Sequence, residues 1–311
     1  MRVARFKILF LMLMLATVAR ADERSLVLVT GASSGIGLAV ANHLAQSGYR
    51  VLAGARSAED MKRLNALPYI DAFALDVTSQ EDVDRMVQYI REGEFKLSGV
   101  VNNAGVLIVG PAAEVWDSEL DYIFGVNVRG AHRVIRAVLP LLIESGGTIV
   151  NMSSISSYMA PRMLGAYVMS KSALESYSEV MAGELAPLGV RVVSVLPGQY
   201  ISNIGDSAAA RVEAQEASFI ESPFRAEAES TLKALQQNRR AGNPFEVAVV
   251  VESIFSSGTE GQKFVVVPRP QQHKAMMRDA IGRVLELNRN SSHPLGREEL
   301  QRLFVKEHED Q

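Results

Sequence analysis

The sequence predicts an α/β fold in which a doubly wound, Rossmann-type parallel sheet of seven strands is flanked by helices, with a helical lid over the substrate site. Short apolar runs alternate with segments whose apolar residues recur every three or four positions, the pattern of repeated βαβ units. Runs such as Leu-Val-Leu-Val at residues 26–29 are continuously apolar, as expected for strands buried on both faces of a parallel sheet. The predicted strands are residues 25–30, 50–55, 70–75, 97–102, 148–152, 191–196 and 263–267.

The segments between these strands are predicted to be helices, for example residues 36–46 and 167–185. From about residue 199 to 243 the strand rhythm stops. An Ala-, Glu- and Arg-rich stretch there indicates short helices that form a substrate lid rather than a second domain. We therefore expect one catalytic domain over residues 25–270 and a C-terminal helical extension over residues 271–311.

Composition excludes several classes of function. The formal net charge of -3 and the pI of about 6.0 provide no basic surplus for a nucleic-acid backbone, so no nucleic-acid partner is predicted. The chain has no cysteine, which excludes disulfides, thiolate zinc sites and iron–sulfur clusters. Its five histidines lack the spacing of metal ligands, so no metal is predicted. Redox chemistry would have to come from a bound cofactor.

The first 24 residues differ from the rest of the chain. Arg2, Arg5 and Lys7 precede an apolar run at residues 8–19, and Ala19-Arg20-Ala21 matches the small-x-small pattern of a signal-peptidase site. The run is shorter than the roughly 20 residues of a spanning helix. A cleaved export signal and an uncleaved membrane anchor are the main alternatives, with an overextended start or a core helix as the third. An anchor that keeps the rest of the chain on the cytoplasmic side is slightly favoured.

A glycine-rich turn lies where the first strand gives way to the first helix. Such a turn needs a residue free of φ restrictions, one that lets the backbone approach a pyrophosphate, and one that permits close helix–strand packing. The spacing G-x-x-x-G-x-G differs from the commoner G-x-G-x-x-G, and a plain structural turn is the alternative. The cofactor-binding residues predicted from this turn are Gly31, Ser33, Gly35, Ile36 and Gly37.

Three further strand ends add cofactor contacts. Arg56 stands after the second strand, where an NAD-specific enzyme would place an acid, so NADP(H) is the preferred cofactor and NAD(H) the alternative. A solvated surface arginine is the other interpretation. Asp76 and Val77 after the third strand are expected to contact adenine, although the aspartate could equally cap the next helix. After the fourth strand come small residues that would let the backbone lie against the cofactor, unless they form a simple turn: Asn103, Ala104 and Gly105.

Tyr167 and Lys171 are the candidate acid/base pair. Hydride transfer to a carbonyl requires a group that exchanges a proton with the substrate oxygen. A free phenol has a pKa of about 10, and a lysine one helical turn away would lower it. Ser154 precedes the tyrosine by thirteen positions, a spacing that favours it over its neighbour Ser153. Taken singly, each could be an ordinary helix, surface or capping residue.

In this order, the motifs resemble those of the short-chain dehydrogenase/reductase family over about residues 25–270. The resemblance implies that Lys171 holds the nicotinamide ribose, that Ser154 hydrogen-bonds the substrate carbonyl and that Asn127 anchors a proton-relay water chain. It also implies that Pro197 and Gly198 lie against the nicotinamide. Ser202 stands near the place of the family's usual threonine. The matching segments are residues 30–37, 76, 102–105, 127, 154, 167, 171 and 197–198.

The implied function is hydride transfer between NADP(H) and a secondary alcohol or ketone, or a lipophilic alcohol or aldehyde. The chain resembles retinol- and hydroxysteroid-type members more than the shorter acyl-carrier-protein ketoreductases. A non-catalytic dinucleotide-binding regulator and an extended-branch epimerase or dehydratase are the alternatives. Family members usually pair through the helices at about residues 117–143 and 167–185, so a homodimer or homotetramer is expected. An apolar pocket is the interpretation of one set of residues, with ordinary core as the alternative: Tyr158, Met159, Met163, Phe219, Ile220, Phe224 and Leu232.

Overall fold

The computed structural model describes residues 24–214, 222–237, 241–256 and 259–309. One seven-stranded sheet with the order β3-β2-β1-β4-β5-β6-β7 forms the centre of the protein, and neighbouring strands pair in parallel throughout. The predicted fold class and the position of each strand are confirmed. The strands are β1 (Leu26–Val29), β2 (Arg50–Ala55), β3 (Ile70–Ala74), β4 (Leu97–Asn102), β5 (Thr148–Met152), β6 (Arg191–Pro197) and β7 (Lys263–Val266).

Helices cover both faces of the sheet, which explains why the central strands are apolar at successive positions. All four residues of β1 are buried, because the side chains on its two faces enter two different core clusters. The helices are α1 (Gly35–Gln46), α2 (Ala58–Leu64), α3 (Gln80–Glu92), α4 (Asp117–Phe124), α5 (Ala131–Ser145), α6 (Gly165–Leu185), α7 (Ile204–Ala214), α8 (Arg225–Gln237), α9 (Phe245–Ser256), α10 (Pro270–Arg289) and α11 (Arg297–Glu309).

Each of the two core clusters that contain β1 side chains lies under one of the two helical layers. Val40 of α1 and Val247 of α9 pack on one face of the sheet. Val83 of α3, Val134 of α5 and Met181 of α6 pack on the other. The chain order reverses between β1 and β4, so the connections that leave their carboxyl ends run in opposite directions and form the crevice in which open α/β sheets bind ligands.

The predicted lid contains α7 and α8, which pack on each other through Ala208, Ala228 and Leu232. Phe219 and Ile220 lie outside the described residues, as does the leader up to residue 23. Within the described ranges, no helix has the length and apolar character needed to cross a bilayer.

The C-terminal extension begins as a helix that belongs to the catalytic domain. Met276 of α10 is buried against Ile155 and Leu196, whereas the second half of α10 is exposed. The predicted boundary at residue 270 therefore divides a helix from the sheet edge on which it packs.

Candidate active site

A cavity of about 1100 Å³ opens at the carboxyl ends of the strands. It is larger than the roughly 300–1,000 Å³ of most single-ligand pockets, which leaves room for a dinucleotide together with a substrate. The residues that were predicted from the sequence and line this cavity are Gly31, Ser33, Gly35, Ile36, Gly37, Arg56, Asp76, Val77, Asn103, Ala104, Gly105, Ser154, Tyr167, Lys171, Pro197, Gly198 and Ser202.

The glycine turn leaves room only for residues without a side chain. Gly35 has φ +54°, and a Cβ atom there would lie 2.8 Å from the Cβ of Ser202. A Cβ on Gly37 would lie 2.3 Å from the backbone oxygen of Gly31. The turn leads directly into α1, whose N-cap Ser34 makes no side-chain capping bond. The first turn of α1 thus faces the cavity with backbone N–H groups that suit a phosphate.

Asn103, at the end of β4, stabilises this turn through hydrogen bonds. Its Nδ2 donates to the backbone oxygens of Thr30 at 3.0 Å and Gly31 at 2.9 Å. The Thr30 hydroxyl accepts from the backbone N–H groups of Asn103 and Ala104 at 3.1 and 3.0 Å. The Asn103 side chain is therefore engaged with the protein, and the small residues after it form the cavity wall.

Two features lie at the edge of the cavity near β2 and β3: an arginine after β2 and a hydrogen-bonded turn after β3. Arg56 is exposed at the cavity rim. Asp76 accepts from the backbone N–H and the hydroxyl of Thr78 at 2.8 and 2.7 Å. The N-cap of α3 is Ser79, so Asp76 closes the preceding turn and does not cap the helix.

Tyr167 and Lys171 project from α6 into the same cavity as Ser154. All three side chains line this cavity. Lys171 donates from Nζ to the backbone oxygen of Met152 at 2.7 Å, and this nitrogen lies 5.8 Å from the centroid of the Tyr167 ring. Ser154 also caps the short 3₁₀ helix Ile155–Tyr158, where its Oγ accepts from the Ser156 N–H at 3.1 Å.

The electrostatics of this pair differ from the sequence-based expectation. Burial raises the pKa of Tyr167, and the Ser154 side chain offsets the increase in part. Burial also lowers the pKa of Lys171 to about 8. The expected lowering of the Tyr167 pKa by its lysine is therefore wrong for the protein alone, because desolvation by burial has the largest effect on the phenol.

Asn127 lies at the centre of a π-helical segment, Gly125–Gly130, between α4 and α5. The side chain is almost fully buried and does not line the cavity. Its Oδ1 accepts from the Val106 N–H at 2.8 Å, and its Nδ2 donates to the Val106 oxygen and the Ser170 Oγ, both at 3.0 Å. The amide thus fixes the segment after β4, and it does not reach the substrate space.

The apolar pocket differs from the predicted one. Of the residues proposed for it, Met159 lines the cavity. Met163 and Leu232 are buried in a core cluster instead, because they join the lid to the domain. Tyr158 accepts a hydrogen bond from Lys263 at 2.6 Å, and Phe224 is 38% exposed.

The sequence-based prediction did not include the cavity-lining residues in the segments after β6 and β7. Gln199, Arg269 and Gln272 line the cavity there. The parallel-strand rule could have identified Arg269, since it stands two positions past the expected end of β7.

The comparisons agree with this architecture. The short chain dehydrogenase family matches residues 25–213. Short-chain dehydrogenase PC-15 of Penicillium crustosum is 41% identical over 57% of this chain. The matched part is 66% of that relative, so the chain spans just under two thirds of its length.

Two longer matches extend to the C-terminal part of the chain. The NADPH-dependent 1-acyldihydroxyacetone phosphate reductase of Schizosaccharomyces pombe is 32% identical over 85% of this chain and 89% of its own length. A short chain dehydrogenase/reductase from Burkholderia phymatum, solved in complex with NAD, is 25% identical, with a TM-score of 0.72 over 88% of this chain and 98% of that one. With the sheet order and the glycine turn described above, these matches show that the chain belongs to the short-chain dehydrogenase family.

Proposed function

We propose that the protein is an NAD(P)-dependent oxidoreductase that transfers a hydride between NADP(H) and an alcohol or carbonyl group, with Tyr167 as the general acid/base. The observation that carries this proposal is that Tyr167, Ser154 and Lys171 line the same cavity as the glycine turn. A substrate oxygen placed between the Tyr167 and Ser154 hydroxyls would contact both a proton donor and a hydrogen-bond donor.

The cavity fits a dinucleotide at its other end. Gly31, Gly35 and Gly37 leave the backbone open to a pyrophosphate, and the uncapped start of α1 supplies N–H donors. Ser202, in van der Waals contact range of Gly35, is placed to donate to the same group. The adenine would lie near Asp76 and Val77.

A bound nicotinamide dinucleotide supplies or accepts the hydride, and the residues of this chain handle the proton. The raised pKa of Tyr167 keeps its phenol protonated near neutral pH, which suits proton donation to an oxygen that gains negative charge. Ser154 orients that oxygen. Lys171, with a pKa lowered to about 8, can release and take up a proton near neutral pH. It would bind the ribose and return a proton to the tyrosine. Asn127 supports this relay by fixing the segment around Val106.

NADP(H) is the proposed preference. Arg56 provides a cation at the cavity rim, and the S. pombe relative is described as NADPH-dependent. The B. phymatum relative was solved with NAD, which keeps NAD(H) as the alternative. The substrate class is a secondary alcohol or ketone, or a lipophilic alcohol or aldehyde, because the lid presents apolar residues to the cavity.

The direct test offers a panel of ketones, aldehydes and alcohols to the full chain with either nicotinamide cofactor. Turnover is measured through the change in absorbance of the reduced nicotinamide. We expect carbonyl reduction with NADPH for at least one lipophilic member. Cofactor binding without turnover across the whole panel would instead support a dinucleotide-binding regulator.

We also propose a homodimer or homotetramer formed through α5 and α6. Three apolar side chains on these helices are solvent-exposed: Ile143 is 40%, Met169 50% and Val180 58% exposed. Pairing would remove them from water. Light scattering at micromolar concentration tests this, and a monomer would contradict it.

For the leader we propose a membrane anchor that holds the catalytic domain on the cytoplasmic side. The support is the sequence pattern of a basic flank before an apolar run at residues 8–19, together with the need for a nicotinamide supply. Fractionation and N-terminal sequencing test it. A soluble exported chain that begins at Asp22 would overturn the anchor.

A further inference from the structure

Arg269 lies in the cavity wall directly after β7 and before α10. Its side chain is half-buried, and within the described ranges its one side-chain hydrogen bond runs from Nη2 to the Gln199 Oε1 at 3.5 Å. This distance is at the upper limit for a hydrogen bond. A guanidinium carries five N–H donors, so most of the capacity of Arg269 is unused by the protein.

The arginines that hold the lid behave differently. Arg211 of α7 makes a bidentate pair with Glu119 at 2.6 and 2.7 Å, and Arg162 makes one with Glu227 at the same distances. Throughout the described part of the chain, no carboxylate lies within ion-pairing distance of Arg269. Among the described residues, the positive charge of Arg269 therefore has no carboxylate partner at this end of the cavity.

Arg269 and Gln272 lie beside Gly198, which is assigned to the nicotinamide: a Cβ on Gly198 would lie 2.3 Å from the Gln272 Oε1. Arg269 is far from the residues assigned to the phosphates and the adenine of the cofactor. β7 is the last strand of the sheet, whereas Arg56 follows β2 and Asp76 follows β3 at the opposite edge. With about 4.8 Å between neighbouring strands, β7 and β2 are roughly 24 Å apart. The 2′-phosphate site and Arg269 are thus separate anion-binding groups. The glycine turn, four strand spacings from β7, lies about 19 Å away by the same measure.

Two amides stand beside the guanidinium. Gln272 donates from Nε2 to the Gln199 Oε1 at 3.3 Å, and its own Oε1 accepts from the Gln199 N–H at 3.4 Å. These are long bonds, so a better acceptor can compete for the Gln272 amide N–H groups. An anionic oxygen bound by Arg269 would be such an acceptor.

The cavity that contains Arg269 and the catalytic hydroxyls also has apolar lining. Met159 after the 3₁₀ helix, Leu164 before α6, and Ile204 and Leu235 of the lid contribute to it. A molecule that occupies this part of the cavity would have an apolar stretch along these side chains and an anionic group at Arg269.

We propose that Arg269, assisted by Gln272, is a substrate-anion subsite, and that the carbonyl substrate is an amphiphile that bears a carboxylate or phosphate group. This inference rests on the proposed function, since it assigns the substrate class of the same site. Arg269 recognises the anion through charge-assisted hydrogen bonds, which a planar guanidinium can form in pairs with either group.

A binding measurement tests the subsite without requiring turnover. Dodecanoate, dodecyl phosphate and neutral dodecanol are titrated into the full chain saturated with NADP⁺ and into its Arg269→Gln and Arg269→Lys variants. We expect both anions to bind the wild type more tightly than dodecanol. Arg269→Gln should weaken anion binding about tenfold or more, the size expected for one charge-assisted contact, and Arg269→Lys should restore part of it. A response of one anion alone identifies the headgroup.

A kinetic arm tests the same group during reaction. A long-chain oxo-carboxylate and its methyl ester are compared as substrates of the wild type, of Arg269→Gln and of Arg278→Gln, a control on the exposed part of α10. We expect the ratio of kcat/KM values, acid over ester, to fall about tenfold in Arg269→Gln and to stay unchanged in Arg278→Gln.

The outcomes separate this inference from the proposed function. Equal binding of anions and dodecanol by the wild type, with the ester still reduced, overturns the subsite and leaves the oxidoreductase intact. Anion binding that depends on Arg269, with neither compound reduced, supports the subsite and counts against the oxidoreductase. A loss of NADPH affinity in Arg269→Gln equal to its loss of anion affinity would assign the residue to the cofactor and overturn the proposal.

Discussion

The Lys171 ammonium and the backbone oxygen of Met152 are joined by a hydrogen bond of 2.7 Å inside the protein, where burial lowers the pKa of the lysine to about 8. Folding therefore disfavours the charged lysine. Below about pH 8 the lysine is charged in the folded protein, which bears the full free-energy cost of burying that charge. That cost disappears as the pH rises towards the ordinary lysine value of 10.5, so this group makes stability increase with pH across the window.

Lys171→Met should for this reason stabilise the protein without cofactor near neutral pH. One unit of pKa is worth about 1.4 kcal/mol, so after allowance for the lost hydrogen bond we expect a gain of about 1–3 kcal/mol in the free energy of unfolding. The gain should vanish above pH 10.5. Urea unfolding at both pH values measures it, with exposed Lys62→Met as control. A loss of stability at neutral pH would show that the lysine is not destabilised by burial.

Arg56→Ala should weaken NADPH and leave NADH unaffected, because a contact to the 2′-phosphate exists only with NADPH. The side chain is exposed, so we expect a loss of about tenfold in affinity, at the low end for a charge-assisted bond. Paired titrations with the two cofactors measure it. Arg85→Ala, which removes an exposed arginine of α3, serves as control. Equal losses for both cofactors, or a wild type that prefers NADH, would refute the role of Arg56.

The two bidentate Arg–Glu pairs of the lid should differ in their contribution to stability, although their distances are the same. The Glu119 side chain is 7% exposed, while in the second pair Arg162 is 68% and Glu227 40% exposed. Arg211→Ala leaves the Glu119 charge buried without its guanidinium and should cost about 2 kcal/mol. Arg162→Ala should have little effect because water solvates both groups. Equal effects in chemical denaturation would contradict this ranking.

Gly37→Ala and Gly183→Ala should change stability in opposite directions. A Cβ on Gly37 meets the backbone oxygen of Gly31 at 2.3 Å, which forces the turn apart and should cost about 1–3 kcal/mol and most of the cofactor affinity. Gly183 lies within α6 with nothing within 4 Å of its added Cβ, so alanine should stabilise the helix by about 0.5–1 kcal/mol. Thermal unfolding and cofactor titration test the pair. A Gly37 variant that binds the cofactor normally would contradict the assignment of the turn.

Much of the fold was predictable because burial on both faces leaves a direct trace in the sequence. Strands such as β1 are continuous apolar runs, and their parallel pairing places every strand end at one edge. That rule alone brings Gly35, Arg56 and Ser202 to a single cavity. It depends on spacing along the chain and needs no knowledge of side-chain contacts.

The remaining features depend on contacts that spacing does not encode. The engagement of the Asn103 and Asn127 amides with backbone groups follows from the local path of the chain. The raised pKa of Tyr167 results from desolvation by residues distant in sequence. The strand rule could have placed Arg269 at the cavity, but its lack of a carboxylate partner among the described residues is visible only in three dimensions.

The central claim is that Tyr167 exchanges the proton with the substrate oxygen, and the most direct measurement compares Tyr167→Phe with the wild type in turnover and in cofactor binding. Tyr177→Phe is the matched control, since Tyr177 lies on the same helix and bonds His132 at 2.8 Å. We expect Tyr167→Phe to lose about 10²–10⁴-fold in kcat with the NADPH dissociation constant unchanged, while the control keeps both. Turnover in Tyr167→Phe equal to that of the wild type would contradict the account.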